Sequence, residues 1–447
     1  MNPRRTFLKQ AVGAAAATCL PATAPAAQEP KRRLKVAAIY TACTPRSHAH
    51  VILENFLEPC LFNGEWTDPG MDVVSLWGDQ EPPGDLARAA AKEYGVRMCG
   101  NIREALTLGG KDLAVDAVLC IGEHGRYPAN DRGQVEYPRK RFFDGCVEVF
   151  RETGKVVPIF NDKHLSYRWD WAKEMYDTAR AMKIPFMAGS SVPLAQRRPS
   201  LEVPSGAEIE EAVSFHGGGF EGYDFHALEV LQAMLEARKG GETGVARVQF
   251  LAGEALWKAA EAGRWSEAVA EAALEADLGK DRPRLRDIPQ RRMQFRGPQS
   301  PWGILVEYRD GTRGTALRFG RSGTRWPFAC RVKGEKTPLA TSFYVGPWDN
   351  RCLFKALSHA IQAHFRNRKA PYPVERTLLT TGILEAAVTS HHEGDRVVET
   401  PHLNIAYRPR DYRAYRENGA SWKVLPEDTP QPPGIDKARE RQKKPAQ

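Results

Sequence analysis

Between residues 156 and 167 the chain reads VVPIFNDKHLSY. An apolar run, β-branched at Val156, Val157 and Ile159, ends in four polar side chains: Asn161, Asp162, Lys163 and His164. A strand buried on both faces carries such a continuous run, and in an open parallel sheet its carboxyl end faces the ligand crevice. An ordinary strand running into a polar loop reads the same way locally, so the surrounding segments have to decide.

Those segments alternate. Apolar runs at 34–40, 71–77, 115–121 and 185–188 read as strands; 50–61, 85–94, 102–108, 139–153 and 169–182 read as helices. Alternation at this pace points to a doubly wound parallel sheet. Near residues 189–191 the character changes. Helical patterns at 223–237, 256–276, 352–366 and 374–390 then accompany short runs at 209–216, 245–251, 303–308, 312–319, 328–333 and 342–346, which read as mainly antiparallel strands. Residues 399–407 read as a returning strand. The expected fold class is therefore α/β plus α+β. A Rossmann-like nucleotide-binding domain spans 34–190, a C-terminal substrate and oligomerisation domain with an open, mainly antiparallel sheet spans 191–407, and an extended, poorly packed tail covers 408–447.

The first 27 residues resemble a twin-arginine export signal. Arg4-Arg5 precede Phe7-Leu8-Lys9, an Ala-rich apolar run follows, and small residues with prolines close the segment. Its removal lowers the formal charge from +9 to +6. The expected destination is the periplasm or another exported location. No later apolar run has the length of a membrane span, and the scattered Lys and Arg form no nucleic-acid groove. Seven widely spaced cysteines remain, an odd number without a CxxC pair, which argues against a disulfide framework or a cysteine zinc site.

Four stretches carry a resemblance to a known family. They are 101–121, 154–165 with Asp162-Lys163-His164 in place of Glu-Lys-Pro, 179–189, and 217–231 with Gly217-Gly218-Gly219 and His226. Together they resemble the Gfo/Idh/MocA sugar and cyclitol oxidoreductases. The resemblance implies a Rossmann-type domain joined to a sheet-bearing substrate domain, NAD or NADP as cofactor, a small-molecule carbohydrate substrate, and a homodimer or homotetramer formed through the open sheet face. It places Lys163 and His226 on the catalytic lysine and histidine, and Glu229 close to a second acidic position.

The chain departs from the pattern in three places. The aspartate expected four residues before the histidine is Gly222, with Glu221 or Asp224 as substitutes. The proline after Lys163 is His164. The first turn lacks GxGxxG, which lets backbone and pyrophosphate approach closely. Tyr40 and Ala42 stand at the first two glycine positions, with Arg46 close to the third. Tyr40, Ala42, Arg46, Asp79, Gly122, Glu123, His124 and Asp162 are the expected cofactor contacts, Asp79 as the ribose acid. The missing glycines leave room for a cofactor-free carbohydrate-binding pseudoenzyme on the same fold. A third reading, a metal-assisted lyase or hydrolase, would gather His48, His50, Glu123, His124, Asp162, His164, His216 and His226 at the strand ends, although no spacing among them matches a metal motif. Trp302, Trp326 and Trp348 read as buried core before they read as sugar platforms.

Overall fold

In the computed structural model, which describes residues 32–290, 301–320, 325–432 and 434–436, the first apolar run forms β1 (Leu34–Tyr40). The segment resembling an export signal lies outside the described residues. Side chains of β1 alternate between two layers, as the period of two in a strand requires. Val36, Ala38 and Tyr40 enter one core, Ala37 and Ile39 the other, and all five are fully buried.

The chain continues through α1 (His48–Leu57), a hairpin of β2 (Cys60–Phe62) and β3 (Glu65–Thr67), β4 (Met71–Gly78), α2 (Ala87–Tyr94), β5 (Arg97–Met98), α3 (Ile102–Thr107), β6 (Ala117–Ile121), α4 (Arg139–Thr153), β7 (Ile159–Asp162), α5 (Trp169–Ala181) and β8 (Phe186–Gly189). Six strands pair in parallel in the order β5-β4-β1-β6-β7-β8. Strand order reverses between β1 and β6, so a crevice opens at their carboxyl ends, where ligands bind in such sheets.

The second sheet is built from β9 (Gln196–Arg198), β10 (Ile209–His216), β11 (Val245–Ala252), β12 (Trp302–Tyr308), β13 (Arg313–Arg318), β14 (Trp326–Val332), β15 (Leu339–Tyr344) and β16 (Val398–Glu399). Its order is β16-β11-β12-β13-β10-β14-β15-β9, antiparallel throughout except for the parallel pair β10–β13. Helix α6 (Gly222–Leu235) crosses between β10 and β11 and packs Phe225, Leu228 and Leu231 on one face of the sheet.

Four local readings change. The Ala-rich pattern at 256–276 is two helices, α7 (Glu254–Glu261) and α8 (Glu267–Leu278). Gly263 at φ +72° ends the first, and the Ser266 side chain caps the second by accepting from the Val269 N–H. These helices cover the outer face of the second sheet, with Leu256, Val269 and Leu274 packed on Val213, Phe215 and Leu317. The face expected to be free for association between copies is thus occupied by the chain itself. The returning strand at 399–407 shrinks to β16. The tail is not extended: it carries α11 (Ser421–Val424) and buries Tyr412, Leu425 and Ile435, because isolated apolar residues find core partners that no local period reveals.

Two late helices tie the halves together. Helix α9 (Asn350–Asn367) brings Phe354, Leu357 and Ile361 into the core beside α1. Helix α10 (Val374–His392) packs against α5, α6 and β8. Among the described residues no helix is long and apolar enough to cross a membrane. The described cysteines are unpaired; Cys120 and Cys146 approach to 3.9 Å between sulfurs.

Candidate active site

Lys163 leaves the end of β7 in the left-handed backbone region, φ +67°, which a residue with a Cβ adopts only when its surroundings enforce it. Its N–H donates to Gly189 O at 3.3 Å, fastening the turn to β8. Its ammonium donates to Gly222 O at 3.1 Å and lies 3.4 Å from Glu123 Oε1. The described residues hold a cis peptide only at Arg198–Pro199, so the left-handed turn, not a cis bond before His164, aims the lysine.

Glu123 follows β6, and its other oxygen receives the Arg139 guanidinium. Burial raises the Glu123 pKa, but Lys163 and Arg139 outweigh it and hold the carboxyl well below the usual range. Arg139 itself is wholly buried and donates onward to His164 Nε2 at 3.1 Å, while His164 Nδ1 donates to Ser166 O at 2.8 Å. Gly122 makes this possible: a Cβ there would sit 2.6 Å from Arg139 Cγ.

His226 comes from the other half of the chain, on α6. The N-cap of that helix is Glu221, at φ +64°, joined to Asp224 in a capping box. His226 Nδ1 lies 2.6 Å from Ser190 Oγ, which also accepts the Val192 N–H. Burial, then Lys163, hold this imidazole well below its ordinary pKa, so it is neutral. Lys163, His226, Glu123, His48, His124 and Trp326 line one cavity of about 160 Å³ between the rim of the first sheet and the second. The ammonium and the imidazole thus face the same hollow.

Other candidates take different places. Asp162 Oδ2 is 2.6 Å from His48 Nδ1, both buried. His124 Nδ1 accepts the His48 N–H at 3.4 Å, and burial followed by the nearby His48 lowers its pKa to about 4. Asp224 is bound to His216 Nε2, Trp302 Nε1 and the Glu221 N–H, and so is structural. Glu229 is buried under Thr380, away from the cavity. Glu221 accepts the Val135 N–H, and burial pushes its pKa up to about 7. His50 and His216 lie outside the cavity wall, and no three of His, Cys, Asp and Glu among the described residues come together as a metal-holding group. Trp302, Trp326 and Trp348 are all buried, but Trp326 also walls the cavity. Ser190, Asn350 and Phe354 belong to the site as well, although they lie far along the chain or in apolar runs without a local signature.

No protein-family model matches the sequence, and no curated protein does. Solved structures match the fold. Myo-inositol dehydrogenase from Lactobacillus casei, in complex with NAD(H) and myo-inositol, is 14% identical, with 85% of this chain and 99% of that one covered and a TM-score of 0.53. GenD2 from gentamicin A biosynthesis, in complex with NAD, is 13% identical over 84% and 99%, TM-score 0.52. Apo scyllo-inositol dehydrogenase from L. casei is 10% identical over 82% and 98%, TM-score 0.51.

The chain has the Gfo/Idh/MocA dehydrogenase fold.

Within that fold a dinucleotide crosses the turn after β1. In this chain the turn is filled. The Tyr40 ring lies where a Cβ on Gly78 would be 2.8 Å from it, and Thr41, Ala42 and Cys43 are buried. Three of the turn's N–H groups have internal acceptors. Thr41 N–H donates to Ile121 O, Arg46 N–H to His50 Nδ1, and Cys43 N–H to Asp85 Oδ2 at 2.8 Å. An internal carboxylate therefore sits where an anion would be cradled. The Arg46 guanidinium is bound to Trp348 O, Asn350 and Gln431. Asp79, the expected ribose acid, is held by Tyr127 and Arg141, and Gln80 pairs with the backbone of Arg126. These contacts clasp the loop after β4 to the loop after β6 across the crevice. In this arrangement Tyr40, Ala42, Arg46, Asp79, Gly122 and Asp162 serve packing and internal bonds, and the clasp closes the crevice that a dinucleotide would enter. The cavity itself is smaller than the ~300–1,000 Å³ of a drug-sized pocket.

Proposed function

We propose that this chain is an exported oxidoreductase acting on a hydroxyl-bearing carbon of a sugar or cyclitol, with Lys163 and His226 as its proton-handling pair. The observation that carries the reading is that both groups line one cavity between the two halves of the fold. The segment resembling a twin-arginine signal supports export, and the inositol dehydrogenases that share the fold support the substrate class.

The chain's own groups suit proton transfer at a polyol oxygen. The Lys163 ammonium, held between Glu123 and Gly222 O, is a donor to an oxygen that gains negative charge. The neutral His226, steadied at Nδ1 by Ser190, offers Nε2 as the acceptor of a hydroxyl proton. NAD or NADP is the hydride carrier that goes with this reading, as in the NAD complexes of the fold's solved members. For either to enter, the clasp between Gln80 and Arg126 and between Asp79 and Tyr127 has to open.

The filled first turn favours a second reading, a cofactor-free carbohydrate-binding protein on the same fold. Calorimetric titration of the purified chain with myo-inositol, NAD and NADP, together with Lys163→Met and His226→Ala, separates the two. Polyol binding lost in both variants, with nucleotide binding and reduction, is the outcome expected of the oxidoreductase. Polyol binding without nucleotide binding leaves the second reading. Wild-type protein that binds no polyol would sink both.

A further inference from the structure

One pair in the cavity has no part in the lysine–histidine chemistry above. His48 opens α1, at the helix N-terminus where Rossmann folds seat a pyrophosphate. Here the first helical residue carries an imidazole. His48 Nδ1 lies 2.6 Å from Asp162 Oδ2, with side-chain exposures of 10% and 2%. The ring is braced edge-on by Phe354 at 4.6 Å and tilted against His124 at 5.0 Å. A carboxylate on Nδ1 engages that nitrogen and leaves Nε2 as the ring nitrogen outside the pair. His48 lines the same cavity as Lys163 and His226.

We infer that His48, positioned by Asp162, is a second base of this site, and that it moves a proton on a keto-sugar or keto-cyclitol whose carbonyl oxygen is held by Lys163. His48 Nε2 takes the proton from the carbon next to the carbonyl. The C–H electron pair becomes the C=C bond of an enediol, and the carbonyl π pair moves to the oxygen facing the Lys163 ammonium. His48, now an imidazolium, returns this proton to the former carbonyl carbon while the proton of the neighbouring hydroxyl passes to the oxygen at Lys163, so that the hydroxyl-bearing carbon becomes the new carbonyl and the isomerisation is complete. Nothing is oxidised or reduced in total, so the step needs no hydride carrier and suits a cavity whose dinucleotide crevice is filled. The inference rests on the sugar-site reading above and assigns Asp162 a positioning role in place of a cofactor contact.

The test uses the full purified chain, without added nucleotide, and 2-keto-myo-inositol in D₂O. Proton NMR follows deuterium uptake beside the carbonyl, and saturation transfer in the same tube reports binding. Wild-type protein is expected to bind and to accelerate exchange. His48→Gln should bind but exchange about 10²-fold more slowly, the low end of what a positioned base contributes. Asp162→Asn, whose amide can donate to Nδ1 and force the other tautomer, should slow exchange while binding persists. The ¹⁵N spectrum of the wild-type histidines tests the arrangement without any variant: His48 must show a protonated Nδ1 and a bare Nε2. Binding without exchange, exchange unchanged in His48→Gln, or the opposite tautomer overturns the inference and leaves the sugar site standing. Absence of binding overturns both.

Discussion

Glu123 is the residue whose removal should say most about this site. It is 12% exposed and lies between two buried cations, Lys163 at 3.4 Å and Arg139, whose side chain is wholly buried. Replacing it by Gln keeps the shape and removes the charge. Two buried cations then share no carboxylate, and breaking such a pair from one side costs about 3–5 kcal/mol. Against a total stability of roughly 5–15 kcal/mol this is a large fraction. The pH dependence follows from the sign of the shift. The folded-state pKa is depressed, so the stabilisation is fully present above the ordinary carboxylate value and is lost as pH falls through the folded value. Urea unfolding of wild type and Glu123→Gln at pH 7 and again at pH 4 and 3 reads this directly. The gap between the two proteins should be about 3 kcal/mol or more at pH 7 and should narrow steadily on acidification. A gap under about 1 kcal/mol at pH 7, the range of an exposed ion pair, or one that does not change with pH, would refute the reasoning. A double-mutant cycle with Lys163→Met then isolates the Lys163–Glu123 share.

Three further outcomes are expected. Burial lifts the Glu221 pKa to about 7, so the folded state holds a proton that the unfolded chain releases near pH 4.5, and wild-type stability should fall between those values as pH rises; Glu221→Gln should flatten this slope and be the more stable protein at pH 8, and thermal melts showing the same slope in both would count against it. The Tyr40 hydroxyl is buried without a hydrogen-bond partner, so Tyr40→Phe should stabilise the chain by about 1 kcal/mol in denaturant titration, and a loss would mean that the hydroxyl has a partner. Gly122→Ala should destabilise by about 1–3 kcal/mol, because its Cβ would displace Arg139, and a crystal structure with Arg139 unmoved would contradict that.

Residue order alone was enough for the parallel sheet, the succession of its strands along the chain and the polar cluster closing β7. Those properties reside in short apolar runs whose burial period is local. Lys163 and His226 became candidates through the family resemblance carried by the stretches 154–165 and 217–231. The rest depended on residues distant in sequence. Nothing near Asp162 says that its carboxylate will meet His48, and nothing near Tyr40 says that Asp85 will occupy the turn it begins. Helices α7 and α8 look like one amphipathic stretch, and only the second sheet's outer face explains why the chain bends there to cover it. Local spacing governs which backbone forms, whereas a site made of side chains from β6, β7, α1, α6 and α9 exists only once packing has brought those elements within hydrogen-bond reach.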